Sequence, residues 1–182
     1  MILTPTLWRT SRVLANQLRL DLLRRIVTGN GPHVTELAEA LEIPQPRASQ
    51  ELRRLQSRGL VKAVRQGRYL VYLPEPDPKV PSAKPILQAA TKALAEWPDL
   101  ETIRVAWAFG HQRRLDLVRV LQGGALPSDV ASAKAGLSSV AGHRHLQVLQ
   151  AGDIVQFRNE SWRLVPNPHP LAKAFKILIA EK

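Results

Sequence analysis

A mainly α fold with short β-hairpin wings, in tandem winged helix-turn-helix units, is expected from three features of the sequence. Apolar residues recur at helical spacing over several stretches. Two short β-branched and aromatic runs flank a turn that contains Gly67, the mark of a hairpin. A pattern from the first half of the chain also returns about 95 positions later, which points to a tandem arrangement.

"VLANQLRLDLLRRIV" places Leu14, Leu18, Leu22, Leu23, Ile26 and Val27 on one helical face, and the spacing predicts an amphipathic helix ending near Gly29 to Pro32. "VTELAEALEI" repeats the pattern at Val34, Leu37, Ala38 and Leu41, with Thr35 available to cap or begin a short second helix. A tight turn through Glu42 to Pro44 leads to a third helix over 45–58. There Ala48, Leu52 and Leu55 fall at i, i+4 and i+7, Pro46 suits a first turn, and Gly59 fits the stop. "LVKAVRQGRYLVYL" then predicts a β-hairpin around the turn Arg65 to Arg68. Helix, helix, turn, helix, hairpin is the order of a winged helix-turn-helix.

The proline-rich stretch "PEPDPKVPSAKP", Pro74 to Pro85, should be extended and free of helix. It divides the chain into a first winged-helix domain over 1–73, a linker over 74–85 and a second unit over 86–182. In that second unit a connecting helix in "SAKPILQAATKALAEW" precedes a degenerate winged helix, and "HPLAKAFKILIAEK" forms a last helix. Both flanking helices carry apolar stripes that one small domain cannot bury, so they should pair with each other or with another chain.

The repeat rests on two alignments. "NQLRLDLLRRI" from Asn16 returns as "HQRRLDLVRVL" from His111, a shift of 95. "LRRLQSRGLV" from Leu52 returns as "LQVLQAGDIV" from Leu146, a shift of 94, ahead of a second hairpin-like stretch, "QFRNESWRLV". Two winged helix-turn-helix units in tandem fit this pattern.

Composition narrows function. The 182 residues carry 26 Lys plus Arg against 15 Asp plus Glu, a net charge of +11, which favours nucleic acid or another anionic partner. With no cysteine, disulfides, thiolate metal sites and cysteine nucleophiles are excluded. The apolar runs are too short for a membrane span and "MILTPTLWRTSR" lacks the order of a signal peptide, so a soluble, cytoplasmic protein is expected. Of the five histidines only His143 and His145 are close, and at i, i+2 on a helix they diverge, which is poor metal-ligand geometry. No nucleophile elbow, glycine-rich phosphate loop or paired carboxylates stand out, so neither an enzyme nor a cofactor is expected.

From Leu14 to Leu73 the segments "LANQLRLDLLRRI", "VTELAEALEIPQPRASQELRRLQSRGLV" and "RQGRYLVYL" resemble the ArsR-like (arsenic-repressor-like) family of bacterial winged-helix regulators; "FGHQRRLDLVRVL" and "LQVLQAGDIV" resemble it weakly. The resemblance implies a dimeric DNA-binding transcription factor whose terminal helices form the dimer interface. The metal-sensing members typically carry ligands in the first helix of the helix-turn-helix or on the last helix. Here "PHVTELA" and "HPLAKAFKILIAEK" offer no such set.

Projected at 100° per residue, Arg47, Gln50 and Arg54 lie opposite the Leu52 seam, with Arg53 flanking. A helix of this kind fits a major groove, where Arg pairs with guanine and Gln with adenine through two hydrogen bonds each. Base reading is expected from Gln45, Arg47, Ser49 and Gln50 near the helix start, and phosphate contacts from Arg53, Arg54 and Arg58 further along. Arg65 and Arg68 at the wing tip suit the backbone or minor groove. Arg19, Arg24 and Arg25 read better as surface or interhelical ion pairs. In the second copy the outward triad becomes Ala141, Arg144 and Val148, so that copy is expected to read DNA weakly or not at all, with His143, Arg144 and His145 still able to touch phosphate. Double-stranded DNA is the expected partner. A homodimer is favoured over an intrachain pseudo-dimer because the second reader is depleted. The rival functions are a winged-helix protein-interaction scaffold and a ligand- or metal-responsive sensor that releases DNA.

Overall fold

A computed structural model describes residues 6–181. The chain opens on α1 (Leu7–Leu14) and turns through Ala15 and Asn16 into α2 (Gln17–Thr28). The single helix expected from Leu14 onward is therefore broken. Asn16, in extended conformation, caps α2 by accepting a hydrogen bond from the Arg19 amide, and Leu14 closes the preceding helix as a fully buried residue. Helix α3 (Val34–Ala40) is capped by His33 rather than Thr35. The His33 ring accepts from the Glu36 amide while the Glu36 carboxylate accepts from the His33 amide, a reciprocal capping box.

Helix α4 (Gln45–Gln56) begins with Pro46 in its first turn and buries Ala48, Leu52 and Leu55 completely. Gly59 follows with φ 72°, a conformation that any other L residue would adopt under strain; a Cβ there would also crowd Asp77, Val80 and Ala83 at 3.1–3.2 Å. Strands β1 (Lys62–Gln66) and β2 (Tyr69–Leu73) pair antiparallel from Lys62 opposite Leu73 to Gln66 opposite Tyr69.

The proline-rich stretch does more than separate. The Asp77 amide donates to the Gly59 carbonyl at 2.9 Å, Lys62 pairs with Glu75 at 2.8 Å, and Val80 is buried, so the strap lies against the end of α4. It is also shorter than expected, because α5 (Ala83–Glu96) begins inside it with Pro85 in the first turn, where a missing amide hydrogen costs nothing.

Helices α6 (Asp99–Ala108), α7 (Gln112–Gln122), α8 (Ser128–Lys134) and α9 (Ser139–Ala151) precede a second antiparallel hairpin, β3 (Val155–Arg158) with β4 (Ser161–Leu164), and α10 (Pro170–Ala180) closes the described chain. The order of α2, α3, α4 and the first hairpin recurs as α7, α8, α9 and the second. The register recurs as well. Helices α3 and α8 start 94 residues apart, as do α4 and α9. Left-handed backbone at Glu42 and Gly59 returns 94 residues later at Gly136 and Asp153.

One hydrophobic cluster runs from Leu7 to Ile179 through both halves, with Phe109 and Phe175 stacked at 5.0 Å inside it. The two stripe-bearing helices, α5 and α10, pack against each other within this one chain. Helices α1 and α6 also meet: Ser11 Oγ donates to the Ala106 carbonyl at 2.7 Å, and the Arg12 guanidinium lies 5.5 Å from the Trp107 ring centre. Each of these pairs joins residues 95 apart. Contacts between equivalent positions are what a local twofold axis produces. No described helix is long and apolar enough to cross a membrane.

Candidate nucleic-acid interface

Helix α4 presents its polar side outward because its seam of Ala48, Leu52 and Leu55 is locked into the core. Gln45, Arg47, Gln50, Arg53 and Arg54 are exposed, and Ser49 and Arg58 are half-buried. Arg47, Gln50 and Arg53 make no side-chain hydrogen bond or ion pair among the described residues, so their polar groups remain available to a ligand. Gln45 is held by a 3.3 Å hydrogen bond from its amide to Thr35 Oγ1 on α3, which fixes the start of α4 against its neighbour.

Arg54 does not stand free as its helical projection suggests. It donates to Glu51 at 2.7 Å, and the same carboxylate accepts from Arg19 of α2 at 2.9 Å. Burial raises the Glu51 pKa, but the hydrogen bonds from Arg19 and Arg54 and their charges outweigh it and hold the carboxyl below its ordinary value. Arg19 is therefore an interhelical ion pair, as expected, and Arg24 likewise pairs with Asp99 of α6. Arg25 donates to the Ala40 carbonyl of α3 at 2.9 Å.

The wing is braced from beneath. Tyr69 stacks on His33 with ring centres 4.6 Å apart, and His33 bridges to Val71 across the sheet edge. Arg68 lies over the Tyr69 ring at 4.9 Å, while Arg65 projects from β1 into solvent. Aromatic contact limits the freedom of Arg68 while leaving its donors exposed.

The corresponding face of α9 differs. The shift of 94 is exact at its buried positions, where Gly142, Leu146 and Leu149 replace Ala48, Leu52 and Leu55, so Ala141, Arg144 and Val148 occupy the places of Arg47, Gln50 and Arg54. His145 stands where Glu51 stands in α4. It is half-buried and stacked on His111 at 4.8 Å, not turned outward toward phosphate. His143 and Arg144 are exposed. Burial, then the charges of His111 and Arg114, lower the His145 pKa. Arg114, the counterpart of Arg19, keeps the equivalent backbone bonds, to Ala108 and Trp107 at 2.7 Å each, but has no carboxylate partner among the described residues. Burial, with Arg12 nearby, lowers its pKa to about 10. Val140 and Phe157 add exposed apolar surface on this side.

Sequence reasoning missed α1. Its Arg9 and Arg12 stand exposed beside the C-terminal half of α4 and line a shared cavity with Arg54 and Arg58. The alternation of arginine with buried Leu7, Thr10, Ser11 and Leu14 in "LWRTSRVL" is the signal that could have found it. Among the described residues no cluster of His, Asp and Glu could hold a metal ion.

A buried-seam helix with a polar, cationic outer face, preceded by a capped short helix and followed by a basic hairpin, defines a winged helix-turn-helix of the DNA-binding transcriptional-regulator class. Residues 14–68 match the model of the MarR family, which covers α2 to the tip of the first wing. The match covers less than a third of the chain; it supports a winged helix-turn-helix regulator and not the ArsR-like type that the residues alone resemble. No curated protein and no solved structure matches the chain.

Proposed function

We propose that the chain is a transcriptional regulator of ArsR-like order that binds duplex DNA through its first winged helix, with 45–58 in the major groove and the 65–68 wing on the backbone or minor groove. Gln45, Arg47, Ser49 and Gln50 read bases. Arg53, Arg54 and Arg58 contact phosphate, with Arg65 and Arg68 adding contacts from the wing. One observation carries the reading: Arg47, Gln50 and Arg53 form an exposed face on α4 without partners among the described residues, and the same helix is built in α9 without that face.

The domains we assign are 1–73 and 86–182, joined by the 74–85 strap, as two winged helices in tandem. The recurring register supports this, and the α1–α6 and α5–α10 contacts support an intrachain pseudo-dimer over the homodimer that a depleted second reader first suggests. The helices that would join two chains are already covered by their counterparts. The second unit then serves as the first unit's fixed partner.

The test is duplex binding as a function of salt. Affinity should fall steeply with salt, and Arg47→Ala should weaken the preferred sequence more than random duplex. Weak, salt-insensitive binding of every duplex would instead favour the protein-interaction scaffold.

A further inference from the structure

Five arginines line an open pocket of ≈ 380 Å³ between α1, α2 and α4, Arg9, Arg12, Arg19, Arg54 and Arg58, together with Trp8 and Val13. Glu51 answers Arg19 and Arg54. Arg9, Arg12 and Arg58 have no carboxylate partner among the described residues, and the Nε of Arg58 is buried without any hydrogen-bond acceptor. Arginines that repel one another around a shallow, open pocket are a poor arrangement for the empty protein and a good one for a bound anion.

Two features say which anion. Arg47 and Arg54, at i and i+7, lie within about 20° of a single line along α4, and Arg58 follows in the turn just past its end. The cavity is therefore the far end of the same stripe whose near end carries the reading side chains. The second half of the molecule lacks both together. The counterpart of Arg9, Arg104, is neutralised by Asp153 at 2.6 Å, and Trp107, Val148 and Gly152 replace Arg12, Arg54 and Arg58. A cluster needed only for folding would have no reason to appear solely beside the reading helix.

We propose that this cavity is a phosphate seat, filled by a backbone phosphate of the duplex that α4 reads, with Arg9 and Arg12 of α1 as its outer contacts and Arg58 as its inner one. The proposal rests on α4 facing DNA and extends the interface from the helix-turn-helix to α1, toward the contact between α1 and α6.

The test compares the full chain with Arg9→Ala/Arg12→Ala and Arg9→Lys/Arg12→Lys. Both residues are exposed on α1, so the fold should tolerate the changes, and a melting curve checks it. On random duplex the Ala pair should make the slope of log affinity against log salt shallower by about 2, one for each arginine that no longer neutralises phosphate charge, while the Lys pair keeps most of the slope. Sequence preference should not change. A merely structural role would lower the melting temperature and leave the slope alone. Tripolyphosphate at low salt forms a second arm. If the slope is unchanged but tripolyphosphate raises the melting temperature of the native chain and not of the Ala pair, the seat takes a free phosphate instead of the duplex. An unchanged slope with no tripolyphosphate effect overturns the seat. If Arg47→Ala still relaxes sequence preference in that case, the reading of α4 stands without it. If no duplex binds at any salt, the underlying DNA function fails first.

Discussion

Replacing Glu51 by Gln removes the one negative charge shared by Arg19 and Arg54 while nearly preserving shape. The carboxylate is about nine-tenths buried and Arg19 almost as much, whereas Arg54 is half-exposed. Removing one partner of a buried pair costs about 3–5 kcal/mol, chiefly because the other charge is left uncompensated. Here the loss is smaller. Arg19 keeps its bonds to the Val13 and Arg12 carbonyls, and the amide oxygen of Gln still accepts from one guanidinium. About 2 kcal/mol is a reasonable expectation. In a chain of this size that lowers Tm by about 4–8 °C at pH 7.

The pH dependence follows from the direction of the shift. The folded carboxyl titrates below its unfolded value of 4.5, so its contribution is fully present above that pH and disappears as pH falls through the folded pKa. Thermal unfolding of the native chain and Glu51→Gln should therefore show the full gap at pH 7 and a gap that narrows as pH falls below 4.5 and through the folded pKa. Equal Tm at pH 7, or a gap that stays the same size however far the pH is lowered, would refute the ion-pair account.

Arg47→Ala or Gln50→Ala should weaken the preferred duplex by about 1–3 kcal/mol and relax sequence preference, whereas Arg54→Ala should weaken all duplexes alike; titrations of both duplex types check this, and a larger loss from Arg144→Ala would reverse the division between the two halves. Gly142→Ala places a Cβ 1.9 Å from Ser132 Oγ and 2.5 Å from Ser132 Cβ, closing the approach of α9 to α8. Overpacking at about 1–3 kcal/mol should exceed the helix-propensity gain of about 1, giving a lower melting temperature that adding Ser132→Gly restores. Burial pushes the His169 pKa down to about 4 from 6.5, so the fold needs it neutral and should lose about 3 kcal/mol as pH falls across that interval. His169→Asn, which can keep the cap of α10, should flatten the decline in denaturant midpoints between pH 6.5 and 4; an unchanged decline would place the acid sensitivity elsewhere.

Periodicity located α2, α3, α4, α5 and α10 because each buries one continuous apolar stripe. It failed at Ala15 and Asn16, where Leu14 and Leu18 keep helical spacing although the backbone turns between them. The cap that ends the register is a local hydrogen bond, and periodicity does not report it. His33 displaced Thr35 as the α3 cap for a similar reason: an imidazole ring is an uncommon cap and here also stacks on Tyr69 of the wing. The outer face of α4 was legible because arginines and glutamines fall opposite its seam. The pairing of Arg54 with Glu51, and the arrival of Arg9 and Arg12 beside Arg58, depend on how α1, α2 and α4 cross, which no local window contains. The pairing of α5 with α10 was foreseen as one of two options; the sequence could not choose between them because the stripe is the same for either.

Selection of bound duplexes from a random pool reports both whether α4 reads sequence and how many copies of it engage. A short enriched block without inverted symmetry is expected, read by one α4 on one chain, and its enrichment should collapse for Arg47→Ala. Recovery of an inverted repeat with half-sites one helical turn apart would contradict the single-reader, single-chain arrangement, and no enrichment at any position would contradict sequence reading by α4.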